Sequence, residues 1–187
     1  MSTRETLTAF AGDRRIASGR LQKLVLETKA WMERGESGSV LIFEDWTGTQ
    51  VDFDFRGTPD EVLQRALAPA ARPGPGRPKL GVVCREVSLL PRHWDWLQSQ
   101  PNGISAALRR LVDEARKRDP EGERRRQAMQ AASRVMSALA GNLPGYEEAT
   151  RALFADDRAR VRQLTRGWPG DIRSYVGKLV KAADRSA

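Results

Sequence analysis

The chain has 187 residues, 40% hydrophobic and 30% charged, with 32 Lys+Arg against 24 Asp+Glu and a formal net charge of +8. That length holds one large domain or two small ones, and the basic balance favours polyanions such as DNA, RNA or an acidic membrane face. No apolar run approaches the ~18 residues of a membrane span. The lone cysteine, Cys84, excludes an internal disulfide, and the opening Met-Ser-Thr-Arg-Glu carries no apolar signal core, so a reducing, cytoplasmic setting is expected.

In chain order, Thr6–Ala11 and Arg15–Ala17 are strand candidates around a Gly12-Asp13 turn. Leu21, Leu24, Val25, Thr28, Trp31 and Met32 recur at helical spacing within Arg20–Arg34, and Gly35 can close that helix. Val40-Leu41-Ile42-Phe43 reads as a buried strand and Asp45-Trp46-Thr47-Gly48 as a turn. Val51, Phe53 and Phe55 alternate with Asp52 and Asp54, as in a half-buried strand. Thr58-Pro59-Asp60-Glu61 combines a cap, Pro at the first helical position and Glu three residues after the cap. The expected order over 1–67 is ββαββα. Residues 68–80 are too rich in Pro and Gly for a regular ladder and read as a basic tether.

Residues 81–118 carry a short β-rich run, a helix opened by Pro91, a Pro101-Asn102-Gly103 break and an amphipathic helix with Ile104, Leu108, Leu111, Val112 and Ala115 on one stripe. Arg109–Asp113 and Arg110–Glu114 are i,i+4 pairs on its wet side. Over 119–187, after a turn at Asp119-Pro120-Glu121-Gly122, the chain reads as helical to its end. Met129, Ala132, Val135, Met136 and Leu139 share a face of Glu123–Ala140, ended by Gly141-Asn142. Pro144-Gly145 opens a helix carrying Tyr146, Ala149, Leu153 and Phe154. Asp156/Asp157 can cap the next, and Pro169 and Asp171 open the last, with Ile172, Tyr175, Val176, Leu179 and Val180 inward. The fold class is therefore α+β: a small N-terminal unit, a strand–helix–helix segment and a helical C-terminal part.

Charge divides along the same line. Residues 1–70 hold 9 Lys+Arg and 11 Asp+Glu, a net of −2, while 71–187 hold 23 and 13, a net of +10. Such asymmetry points to two modules, one facing a polyanion.

The segment Arg85-Glu86-Val87-Ser88-Leu89-Leu90-Pro91 followed by Gly103-Ile104-Ser105 resembles the strand–helix–helix unit of ribbon-helix-helix DNA-binding proteins. That resemblance implies a homodimer whose paired strands enter the major groove, with the start of the second helix on a phosphate. Arg85, Glu86 and Ser88 would then face bases, and Arg77, Arg92, Ser105 and Arg109 would contact phosphates. The segment departs from the family where Leu89-Leu90 interrupts the alternation and where Glu86 stands among the base readers. Pro75-Gly76-Arg77-Pro78-Lys79 resembles the Gly-Arg-Pro core of an AT-hook, which implies a minor-groove contact for Arg77 and a DNA contact for Lys79; Pro75 stands where its first arginine falls. The alternative for this stretch is a stiff basic tether. The chain also resembles, over its full length, a bacterial family of unannotated function, on Gly76–Val83, Leu90–Leu97 and Ala140–Gly145.

No catalytic constellation emerges. One His and one Cys do not assemble a metal-ligand set, so no metal or cofactor is expected. His93 beside Trp94 and Trp96 reads as a packed or half-exposed aromatic, and Cys84 as a structural thiol. Asp52 and Asp54 read as the wet face of a sheet, and Arg116-Lys117-Arg118 with Arg124-Arg125-Arg126 as solvated helix faces. Trp94 and Trp96 cannot share one core, which hints at a dimer interface. The expected function is DNA binding by a dimeric transcriptional or nucleoid regulator with duplex DNA as partner. The alternative is a non-catalytic adaptor that binds another protein.

Overall fold

The computed structural model describes residues 6–35, 38–67 and 84–182. It is a mixed α+β structure, with a four-stranded antiparallel sheet and eight α-helices among the described residues. The tether at 68–80, with Arg77 and Lys79, lies outside them, as does Val83. The chain forms two units, one from Met1–Ala68 together with Glu121–Ala187 and one from Pro69–Pro120.

In the first unit β1 (Thr6–Ala11) and β2 (Arg14–Arg20) form a hairpin. Gly12, at φ +59°, supplies the left-handed residue of its two-residue turn. Helix α1 (Leu21–Glu33) follows, then β3 (Val40–Glu44), the short β4 (Gln50–Val51) and α2 (Pro59–Leu67). The strand order is β2-β1-β3-β4. Central β1 is buried at four consecutive positions because both its faces are covered. On one face Leu7, Ala9, Ala17 and Ile42 meet Leu24 of α1. On the other, Phe10 and Phe43 join the core of the C-terminal helices.

Those helices are α5 (Pro120–Ala140), α6 (Tyr146–Phe154), α7 (Arg158–Leu164) and α8 (Gly170–Ala182), with a 3-10 turn at Thr165–Gly167 before the last. Their common core holds Val135, Met136, Leu153, Ile172, Tyr175 and Leu179 beside the two sheet phenylalanines. The region read from sequence as a separate helical part thus shares its core with the N-terminal sheet.

The 51–55 alternation does not make a long strand, and β4 ends at Val51. The Asp54 carboxylate accepts from the Arg56 N–H and guanidinium, the Asp54 carbonyl accepts from Arg65, and the Phe55 carbonyl from Lys29. Side chains occupy the groups that a ladder would need. Phe53 and Phe55 still pack on the α1-side core. Phe154 is 56% exposed at the end of α6.

Candidate nucleic-acid interface

In the second unit residues 84–90 form no strand pairing among the described residues. Leu90 is extended (φ −67°, ψ 149°) and precedes α3 (Pro91–Gln98), with Pro91 in its first turn. Asn102 (φ 68°) and Gly103 (φ 80°) turn the chain into α4 (Ile104–Arg118). Pro restricts the residue before it and Asn tolerates the left-handed region, so Pro-Asn-Gly makes a sharp helix-to-helix corner.

The expected stripe of α4 is not buried as predicted. Ala107 is its buried residue, Ile104 and Leu108 are half-buried, and Leu111 and Val112 are 38% and 56% exposed. On the extended segment and α3, Val87, Leu90 and Trp96 are 56%, 49% and 48% exposed, whereas Leu97 is buried. Trp94 is half-buried, so the two tryptophans part as their helical angle requires. His93 is exposed rather than packed.

Arg85, Glu86 and Ser88 are exposed on the extended segment, as are Arg92 on the first turn of α3 and Ser105 on the first turn of α4. Arg109 Nε donates back to the Ser105 carbonyl at 3.1 Å, joining those two positions. Arg110 pairs with Glu114 at 3.8 Å and donates to Gln100 Oε1 at 3.2 Å, which ties α4 to the turn that follows α3. Cys84 is exposed and free. Among the described residues no group of three or more His, Cys, Asp or Glu could hold a metal, and no helix is long and apolar enough to cross a membrane. Asp54 is an exposed partner of Arg56, whose hydrogen bonds hold it well below the usual carboxylate range. A cavity of about 500 Å³ in the first unit takes Glu44 and Asp52 into its wall.

Two features of the first unit were not singled out from sequence. One is Asp45, read as a turn residue but buried with its carboxylate fully enclosed. Oδ1 accepts from Thr8 Oγ1 (2.7 Å) and Tyr175 Oη (2.8 Å); Oδ2 accepts from Thr6 Oγ1 and Lys178 Nζ (both 2.7 Å). The network clamps the sheet to α8. Burial alone would raise the Asp45 pKa, but the hydrogen bonds from Lys178, Thr6, Thr8 and Tyr175 outweigh it and hold the group below its ordinary 3.8. Burial, reinforced by the negative charge of Asp45, pushes the Tyr175 phenol well above its ordinary range, so it remains a neutral donor.

A depressed carboxylate stabilises the fold fully above its unfolded pKa, and that contribution is lost as pH falls through the lower folded value. The melting temperature is therefore expected to decline as the pH drops below 3.8. In Asp45→Asn this part of the acid slope should be missing. Melts at closely spaced acid pH values test it, and equal slopes in the two proteins would assign the transition to other carboxylates.

The second feature is a basic cavity of about 1020 Å³ between α7, the 3-10 turn and α8, with Arg158, Arg162, Arg166, Arg173, Lys178 and Lys181 in its wall. The sequence signal was present, since Arg158, Arg162 and Arg166 recur every four residues. Only the docking of α7 against α8 gathers them with the other three.

The fold is thus that of a mixed, mostly helical α+β protein in which Arg85, Arg92 and Arg109 belong to one unit and the buried Asp45 network and basic cavity to the other. The chain belongs to a bacterial family described as uncharacterized protein conserved in bacteria (DUF2239), which matches residues 6–180. No curated protein and no solved structure matches it.

Proposed function

We propose that the protein binds duplex DNA as a homodimer through residues 84–118, in the manner of a ribbon-helix-helix regulator acting in the cytoplasm. The supporting observation is the segment 84–90, which stays outside the four-stranded sheet beside apolar helix surface that this chain leaves open. A second copy supplies what is missing. Its own 84–90 segment would pair with this one, and its α3 and α4 would cover Val87, Leu90, Trp96, Leu111 and Val112. So small a helix pair has little core of its own, and association is the usual remedy. Arg85, Glu86 and Ser88 would then lie along the ribbon, with Arg92, Ser105 and Arg109 flanking it; Arg77 and Lys79 would add contacts from the tether. The net charge of +10 over residues 71–187 suits a phosphate backbone.

Light scattering and fluorescence-anisotropy titrations on duplex DNA test this reading. A dimer is expected, with affinity falling about 100-fold or more between 50 and 200 mM salt. Val112→Glu should give monomers and weaken DNA binding together. Removing Arg92 and Arg109 should lower the slope of log affinity against log salt by roughly 3–4, from four lost phosphate contacts per dimer at ~0.9 each. A monomer that ignores DNA at low salt would overturn the proposal and leave the open face to a different protein, the adaptor reading.

A further inference from the structure

The basic cavity belongs to the first unit, the residues assigned to DNA at 84–118 to the second, and the cavity gathers six cations around one concavity. Some helix arginines stand beside acids, as in Arg110–Glu114, Arg126–Glu123 and Arg151–Glu148, and others turn to neutral acceptors, as Arg109 does to the Ser105 carbonyl and Arg134 to that of Thr47. In the cavity wall Lys178 is held by Asp45 and Arg158 by Asp156. Arg162, Arg166, Arg173 and Lys181 have no carboxylate partner among the described residues. Arg173 instead donates to the Arg166 carbonyl at 2.8 Å, which fixes it across the gap between α8 and the 3-10 turn. Four unneutralised cations around one concavity repel each other unless an anion joins them.

The floor of the cavity is apolar. Val161, Val176 and Val180 are buried there, beside the buried Thr165, whose hydroxyl is spent on the Val161 carbonyl at 2.9 Å. An apolar floor beneath a cationic rim asks for a ligand with an uncharged body and clustered negative charge. The volume matches that of small-molecule sites, about 300–1,000 Å³. Guanidinium groups suit phosphate because their paired N–H donors match its oxygens. A duplex backbone could touch the rim but would leave the floor empty.

We infer that the α7–α8 cavity binds a small ligand carrying several phosphate groups on an apolar or aromatic body, the chemistry of a nucleoside polyphosphate. Arg162, Arg166, Arg173 and Lys181 would hold the phosphates, and Val161, Val176 and Val180 would lie against the body.

Calorimetric titration of the full chain with ATP in EDTA, alongside tripolyphosphate and adenosine, tests this inference. One saturable ATP site per chain is expected. Tripolyphosphate should bind several-fold more weakly, and adenosine should show no measurable affinity. Arg162→Ala with Arg173→Ala should weaken ATP at least tenfold while the melting temperature stays unchanged, since both side chains are exposed. The double variant should retain the DNA affinity of the parent, which separates this site from the DNA-binding reading above. Absence of saturable ATP binding, or ATP binding unaltered in the double variant, overturns the site. Tripolyphosphate binding as tightly as ATP overturns the role of the floor. A parallel loss of DNA and ATP binding would make the cavity part of a nucleic-acid surface and overturn the small-ligand proposal.

Discussion

Asp45→Ala is expected to destabilise the protein by about 3–5 kcal/mol, in the range for removing one member of a buried charged network. The side chain is fully enclosed and accepts four hydrogen bonds. Truncation leaves the buried Tyr175 hydroxyl without its acceptor, while the buried Thr8 hydroxyl keeps only its 3.1 Å contact with Ser18 Oγ. Each stranded buried donor costs about 1–3 kcal/mol. Lys178 contributes less to the loss, because its side chain is 46% exposed and can return to water. Tyr175→Phe removes a single donor and should cost less than half as much. Urea unfolding of the three proteins, read by circular dichroism, checks the ranking; an alanine variant as stable as its parent would show that the network contributes nothing net.

Gly48→Ala should be nearly as damaging, at about 2–5 kcal/mol, from overpacking added to a strained backbone. Gly48 sits at φ +65° in the turn between β3 and β4, and its N–H donates to the Glu44 carbonyl at 2.8 Å. A Cβ there would lie 2.3 Å from the Ala131 carbonyl oxygen and 2.7 Å from the Ala131 Cα of α5. Those are backbone atoms on a packed helix, which cannot rotate aside. The turn cannot easily shift either, because Arg134 donates to the Thr47 carbonyl (2.6 Å) and Gln127 to that of Trp46 (3.3 Å). Gly12→Ala is the control. It has nearly the same φ, +59°, but nothing within 4 Å of the added carbon, so it should cost only the left-handed strain, about 1 kcal/mol. Denaturation midpoints of the two variants separate steric from torsional cost, and equal midpoints would show that α5 yields.

Local rules carried the sequence reading where local chemistry decides the structure. Thr58 and Glu61 form the expected reciprocal cap, at 2.8 and 3.3 Å. Asp157 caps α7 through the Arg160 N–H, and the apolar stripe of α8 is buried at all five expected positions. The first three residues of α5 were missed because Asp119-Pro120-Glu121-Gly122 looks like a turn. Pro120 with Glu121 and Glu123 in the first turn is in fact a good helix opening. The strand through 52–55 failed because Arg56 and Arg65 compete for Asp54, a contest that period-2 spacing does not register.

The candidate sites were legible only in part. Exposed residues such as Arg85, Ser88, Arg92 and Arg109 could be named from sequence because position on a helix or extended run largely decides exposure. The Asp45 network could not, since its donors lie 37, 39, 130 and 133 residues away along the chain. The cationic cavity was hidden for a similar reason, because each arginine of α7 looks like an ordinary wet helix position until α8 is set beside it.

The same separation bears on how the protein is made. A ribosome delivers β1 and β3 early and α8 last, so the nascent sheet emerges with Phe10 and Phe43 uncovered and Asp45 short of two donors. Loop closure over such distances is slow and aggregation-prone. A premature stop ahead of Tyr175 would therefore yield more than a shortened product: it would release a chain whose opening third has no lid, a natural client for holdase chaperones and proteolytic quality control.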